Sequence, residues 1–236
     1  MKKIILLLIL AASIFSCTKD DENEKQTKQK EVKETFTSLE SPYLICAGRN
    51  PGGVAFDFIY KGNKGGSNNV DDIKMKELNP DMVVKTVKGQ KSATNKSLGG
   101  MPSFRLSSKA KGLNYSAQDS KCIGYKSYLK IIKISDIKLD ETKFKSDDSS
   151  FDLTKLKKGS SGKSLISDIA KEYKKLVIGN KWLKSAHNTI EGDEPIWIIK
   201  TSEGKYVKMI VKRFPAIIKG KATNGYISLE WAILEE

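Results

Sequence analysis

His187 is the only histidine of the 236-residue chain, in the run Lys184-Ser185-Ala186-His187-Asn188. A zinc site takes three or four nitrogen, sulfur or carboxylate ligands, and neither a second histidine nor a Cys-x-x-Cys pair accompanies this one. A lone imidazole can still supply one axial bond to a haem iron; a solvent-facing loop position is the competing reading. Gly159-Ser160-Ser161-Gly162-Lys163-Ser164 has the residue types of a phosphate-binding loop, but that pattern needs a glycine five positions before Gly162, where Lys157 stands. Its serines are read instead as a cap for the helix that follows. No Gly-x-Ser-x-Gly elbow presents a nucleophile. The carboxylates of Asp71-Asp72 and Asp147-Asp148 are neighbours in sequence, so they diverge in a strand or are solvated in a loop. No enzyme is expected from these patterns.

Binding is better represented. Gly48-Arg49-Asn50-Pro51-Gly52-Gly53 and Lys61-Gly62-Asn63-Lys64-Gly65-Gly66-Ser67-Asn68-Asn69 bracket an apolar run, Val54 to Tyr60. Glycine-rich backbone of this kind bends freely, and Arg49 and Lys64 could then clamp an anionic or polyhydroxyl ligand. Leu98-Gly99-Gly100-Met101-Pro102 would add an apolar lip through Met101. Ordinary tight turns are the competing reading.

Cys17 carries a different chemistry. Lys2 and Lys3 precede an apolar run from Ile4 to Ala12, too short to cross a bilayer core. Ile14-Phe15-Ser16-Cys17 resembles the lipobox of bacterial lipoproteins, with Phe15 its less usual member. This implies removal of residues 1–16 and acylation of Cys17, palmitate included. Two acyl chains make such attachment stable. Residues 17–34 form an expected disordered tether, polar apart from Val32. Its acidic head, Asp20-Asp21-Glu22, resembles the export signal of surface lipoproteins in Bacteroidota. The expected address is the outer membrane at the cell surface, with the periplasmic face as the alternative.

Residues 35–236 are expected to form a single domain, since no long linker or fixed-period repeat divides them. The net charge of +14 comes from lysines spread along the chain, without a block of five or six like charges. That pattern and export argue against a nucleic-acid partner. For Cys46 and Cys122 two readings stay open: a disulfide, or two separate thiols.

These side chains must be held by a mainly β, α+β architecture: an antiparallel, sandwich-like sheet with one amphipathic helix. Short apolar runs with glycine and asparagine between them predict strands at Tyr43 to Ala47, Val54 to Tyr60, Met82 to Val87, Tyr128 to Ile134, Ile196 to Thr201, Lys205 to Phe214 and Gly225 to Leu234. Ser202-Glu203-Gly204 is a hairpin turn. Leu165, Ile166, Ile169, Ala170, Tyr173, Leu176 and Val177 lie at helical spacing, which predicts a helix over 163–177 that stops near Gly179-Asn180.

The stretch from Ile196 through Gly204-Lys205-Tyr206-Val207-Lys208 to Met209, followed by Gly225-Tyr226-Ile227 to Trp231, resembles the ending of the HmuY-like family of Bacteroidota surface lipoproteins. Phe56-Asp57-Phe58 echoes it more weakly. The resemblance spans about a fifth of the chain and implies a β domain that captures haem and passes it to a TonB-dependent receptor. Relatives hold the iron between two histidines or substitutes such as methionine. Here one histidine is present, and Met75, Met82, Met101 and Met209 align with no family motif. The architecture is therefore carried over and the ligands are not, with His187 and Met101 left as candidate contacts. A surface adhesion or structural lipoprotein that binds glycan or protein is the alternative function.

Overall fold

The computed structural model describes residues 37–38, 43–46, 54–60, 66–69, 80–86, 102–152, 168, 171–182, 192–223 and 226–236. The fold is mainly β with a minor helical part. Residues Thr35–Glu236 make one compact unit, separate from Met1–Glu34.

Two five-stranded antiparallel sheets dominate that unit. The first has the order β1-β4-β3-β5-β6, formed by β1 (Thr37–Ser38), β3 (Val54–Asp57), β4 (Gly66–Asn69), β5 (Met82–Thr86) and β6 (Pro102–Leu106). The second has the order β2-β12-β9-β8-β7, formed by β2 (Tyr43–Cys46), β7 (Lys111–Asn114), β8 (Ile196–Lys200), β9 (Tyr206–Arg213) and β12 (Tyr226–Ile233). A small hairpin of β10 (Ala216–Ile218) and β11 (Lys221–Thr223) precedes β12.

The sheets pack face to face. Phe56, Phe58, Met82, Val84 and Phe104 of the first meet Trp197, Met209, Leu229 and Trp231 of the second in one buried cluster. The opposite face of the second sheet is also covered. There Ile196, Ile198 and Ile210 pack on Tyr115, Tyr128, Ile131, Ile137 and Phe144, from helices α1 (Tyr115–Gln118) and α2 (Gly124–Lys130) and the chain that follows. A strand covered on both faces needs apolar residues at every position. This is why β8 buries Ile196, Trp197, Ile198 and Ile199 alike, and why β9 alternates so poorly. β12, between β2 and β9, keeps the period of two, with Ile227, Leu229 and Trp231 inward and Glu230 on the other face.

Several expectations need correction. Tyr128 to Ile134 is not a strand: Gly124–Lys130 is helical and Ile134–Asp136 forms a 3-10 turn. Tyr125 and Tyr128, three apart, turn their rings to the same cluster. A short apolar run cannot distinguish this from a buried strand. β3 ends at Asp57 instead of Tyr60, because the Asp57 Oδ1 accepts the N–H groups of Ile59 and Tyr60, both at 3.0 Å, and turns the chain. Residues 168 and 171–174 are helical; the remainder of 163–170 lies outside the described residues. The helix stops at 174, short of 177, because the Val177 N–H is taken by Asp147 Oδ1 at 2.7 Å. The strands β1, β4, β6 and β7 were not foreseen: Gly66–Asn69, read as part of a glycine-rich loop, is β4 and pairs with β3, and the β10–β11 hairpin, whose turn places Lys219 and Gly220 at positive φ, is a further addition.

Candidate functional site

The described residue next to Met101 in sequence, Pro102, and the last one before His187, Trp182, meet at the start of β6. Trp182 Nε1–H donates to the carbonyl oxygen of Pro102 at 3.2 Å. Its indole is 2% exposed and sits edge-on to Phe104 and Phe214, at centroid distances of 5.9 and 5.6 Å. Gly179 pairs with Phe104 through reciprocal backbone hydrogen bonds of 3.0 Å, so the segment before Trp182 is sewn to β6. Pro102 itself faces Thr86 across the sheet. Met101 is bonded directly to Pro102, and His187 follows Trp182 by five residues. Pro102 and Trp182, these described neighbours in sequence of Met101 and His187, are thus joined by one hydrogen bond. Met101, His187, Arg49, Lys64 and Cys17 themselves lie outside the described residues.

Asp147 secures this region from beneath. Its carboxylate accepts the N–H of Leu106 at 2.8 Å and that of Val177 at 2.7 Å, tying β6 to the end of the helix. Burial raises its pKa, and the two amides together with Arg105 and Lys181 oppose that rise. Asp81 plays a comparable part at the other end of β5, where it accepts from Phe58 and Ser202.

A second polar group lies on the helix-covered face of the second sheet. Tyr125 Oη–H donates to Glu230 Oε1 at 3.0 Å, and Lys212 Nζ lies 3.3 Å from Glu230 Oε2. The Lys212 ammonium also stands 3.6 Å from the Tyr125 ring centroid. Burial acts against that charge, but Tyr125 and Glu230 outweigh it, and the Lys212 pKa is raised. Lys208, 7% exposed, donates to the Tyr128 carbonyl at 2.9 Å and lies 4.2 Å from its ring. Burial lowers the Lys208 pKa, against the attraction of Glu230 and Asp136. Tyr128 has its pKa raised by burial first and by Glu230 second. This arrangement binds α2 to the sheet; each charged group answers another within it.

Among the described residues no group of three or more His, Cys, Asp or Glu side chains could hold a metal ion, and no described helix is long and apolar enough to cross a membrane. Cys122 is a free thiol. Cys46 lies on β2 opposite Tyr226, whereas Ile123 bridges to Pro195 just before β8. With strands about 4.8 Å apart, the intervening β12 and β9 put roughly 14 Å between those positions, against a Cα separation below about 7 Å in a disulfide. The reading of a Cys46–Cys122 bridge is corrected accordingly.

The sequence reading missed Trp182 and Pro102 as organisers, although a tryptophan shortly before the lone histidine was a visible signal. Lys208, Lys212 and Glu230 gave none, since their convergence depends on strand register and on the position of α2.

No family model matches the chain, and no curated protein matches it. One solved structure is similar: the crystal structure of the apo HmuY analog (TFO) of Tannerella forsythia, at 10% identity and a TM-score of 0.35, over 86% of this chain and 100% of that chain.

Proposed function

We propose that the mature chain is a non-enzymatic ligand-binding lipoprotein, anchored through Cys17 to the outer membrane and displayed at the cell surface. Haem is the candidate ligand, and a TonB-dependent receptor is the partner to which it would be passed. The observation that supports this reading is the Trp182–Pro102 hydrogen bond, which joins the described residue next to Met101 in sequence to one five positions before His187. A histidine nitrogen and a methionine sulfur are both competent axial ligands of haem iron. The two-sheet core gives the fixed frame that a binding site on loops needs. The C-terminal motif and the lipobox add to the same reading.

An absorption titration with haem tests it. A shifted Soret band is expected at micromolar protein, lost in His187→Ala and displaced in Met101→Ala. Absence of a shift removes haem and leaves the adhesion reading, in which the surface binds glycan or protein. The anchor is tested separately by the intact mass of native protein: a diacylglyceryl-modified Cys17 is expected, and an unmodified thiol with an intact Met1 would refute it.

A further inference from the structure

Two large apolar side chains stand exposed within four residues of one another, Leu129 at 51% and Ile132 at 53%. They are not on a loose tip. The Ile132 N–H donates to Asp136 Oδ2 at 2.7 Å, its carbonyl accepts from Glu235 N–H at 3.1 Å, and the Lys133 N–H donates to the same Asp136 oxygen at 2.9 Å. On α2, Tyr125 and Tyr128 turn inward, and Lys126, Leu129 and Lys130, at i, i+3 and i+4, share the outer face. Residues 121–138 carry Lys121, Lys126, Lys130, Lys133 and Lys138, all exposed, against the single carboxylate of Asp136. That carboxylate is held by the two backbone amides, which lower its pKa. Glu235 is the other exposed acid beside this backbone.

Exposed apolar side chains with exposed lysines beside them along the chain have the chemistry of an interfacial membrane contact: the aliphatic parts enter the acyl boundary and the ammonium groups meet anionic headgroups. We infer that the α2 face, through Leu129, Ile132, Lys126, Lys130 and Lys133, docks the folded body onto an anionic lipid surface. This docking does not depend on which ligand the chain binds. Docking of this kind would set which side of the domain faces away from the membrane.

Vesicle sedimentation tests the inference, using the mature chain 17–236 with Cys17→Ser so that no acyl chain contributes. Vesicles of phosphatidylcholine with phosphatidylglycerol are compared with pure phosphatidylcholine. Binding to the anionic vesicles alone is expected. Each lysine near an anionic surface is worth about fivefold, so Lys126→Gln/Lys130→Gln/Lys133→Gln is expected to weaken binding about a hundredfold. Leu129→Ser/Ile132→Ser is expected to weaken it by about tenfold or more. Lys109→Gln/Lys145→Gln/Lys174→Gln, elsewhere on the surface, is expected to retain most of it. All of these positions are exposed, and unchanged near-ultraviolet dichroism confirms folding. The inference is overturned by no binding to anionic vesicles, or by equal losses in the two lysine variants. A self-association abolished by Leu129→Ser/Ile132→Ser, with vesicle binding unchanged, would assign the face to a second copy and equally overturn it.

Discussion

Asp81 and Ser202, 121 residues apart, are joined twice: the Asp81 Oδ1 accepts the Ser202 N–H at 2.9 Å and its hydroxyl at 3.1 Å. The other oxygen of the same carboxylate accepts the Phe58 N–H at 3.1 Å. Asp81 is 1% exposed and stands at the start of β5, whereas Ser202 belongs to the β8–β9 turn. One side chain therefore links the first sheet to the hairpin at the centre of the second.

Burial pushes the Asp81 carboxyl up to about 6 despite these donors, with Glu203 and Asp57 adding to the rise. Burial raises Asp57 as well. A carboxyl whose folded pKa exceeds its unfolded one holds its proton more tightly in the folded state. Its contribution to stability is thus greatest below about pH 4 and is lost as pH rises through about 6, a change on the order of 2 to 3 kcal/mol. The unfolding free energy of the wild type minus that of Asp81→Asn, from urea titrations, is expected to fall by about 2 kcal/mol between about pH 4 and about pH 7.5. A difference independent of pH would refute this.

Asp147→Ala removes the carboxylate that accepts the N–H groups of Leu106 and Val177. These donors are part-buried, and losing their charged acceptor is expected to cost about 1 to 3 kcal/mol in total. Asp147→Asn keeps one carbonyl oxygen and should lose less. The midpoints of chemical denaturation at unchanged slope provide the check, and a wild-type midpoint for the alanine variant would show the clamp to be dispensable.

Gly124 and Gly204 both have positive φ, +76° and +84°. A methyl group on Gly124 would stand 2.2 Å from the Gly192 carbonyl oxygen, a backbone atom, whereas Gly204 has open space around it. Gly204→Ala therefore meets only the conformational cost, about 1 to 2 kcal/mol. Gly124→Ala is expected to exceed it by at least about 2 kcal/mol or to prevent folding. Comparable thermal midpoints for the two variants would contradict the close approach.

Cys122 is half-buried, and burial together with Asp119 raises its thiol pKa. Thiolate is the reactive form, so native alkylation by iodoacetamide is expected to be slow at neutral pH and to accelerate above the ordinary thiol range. After denaturation without reductant, peptide mapping should find Cys122 fully alkylated. A peptide pair linked through Cys46 and Cys122 under those conditions would show that the bridge forms.

The sequence determined the local features of this chain. Alternating and continuous apolar runs located β2, β3, β5, β8, β9 and β12, and the Ser202-Glu203-Gly204 turn fixed the β8–β9 hairpin, because side-chain period and turn chemistry act over only a few residues. The resemblance of Ile14-Phe15-Ser16-Cys17 to a lipobox is likewise a matter of neighbours in the chain. Tertiary structure decided the rest. Tyr128 to Ile134 became the end of a helix and the start of a 3-10 turn because α2 had to cover the second sheet, and a run that short is apolar in either conformation. Asp81 met Ser202, Asp147 met Val177, and Trp182 met Pro102 across 121, 30 and 80 residues. Such pairings arise from strand order and layer packing, which no short window of residues encodes.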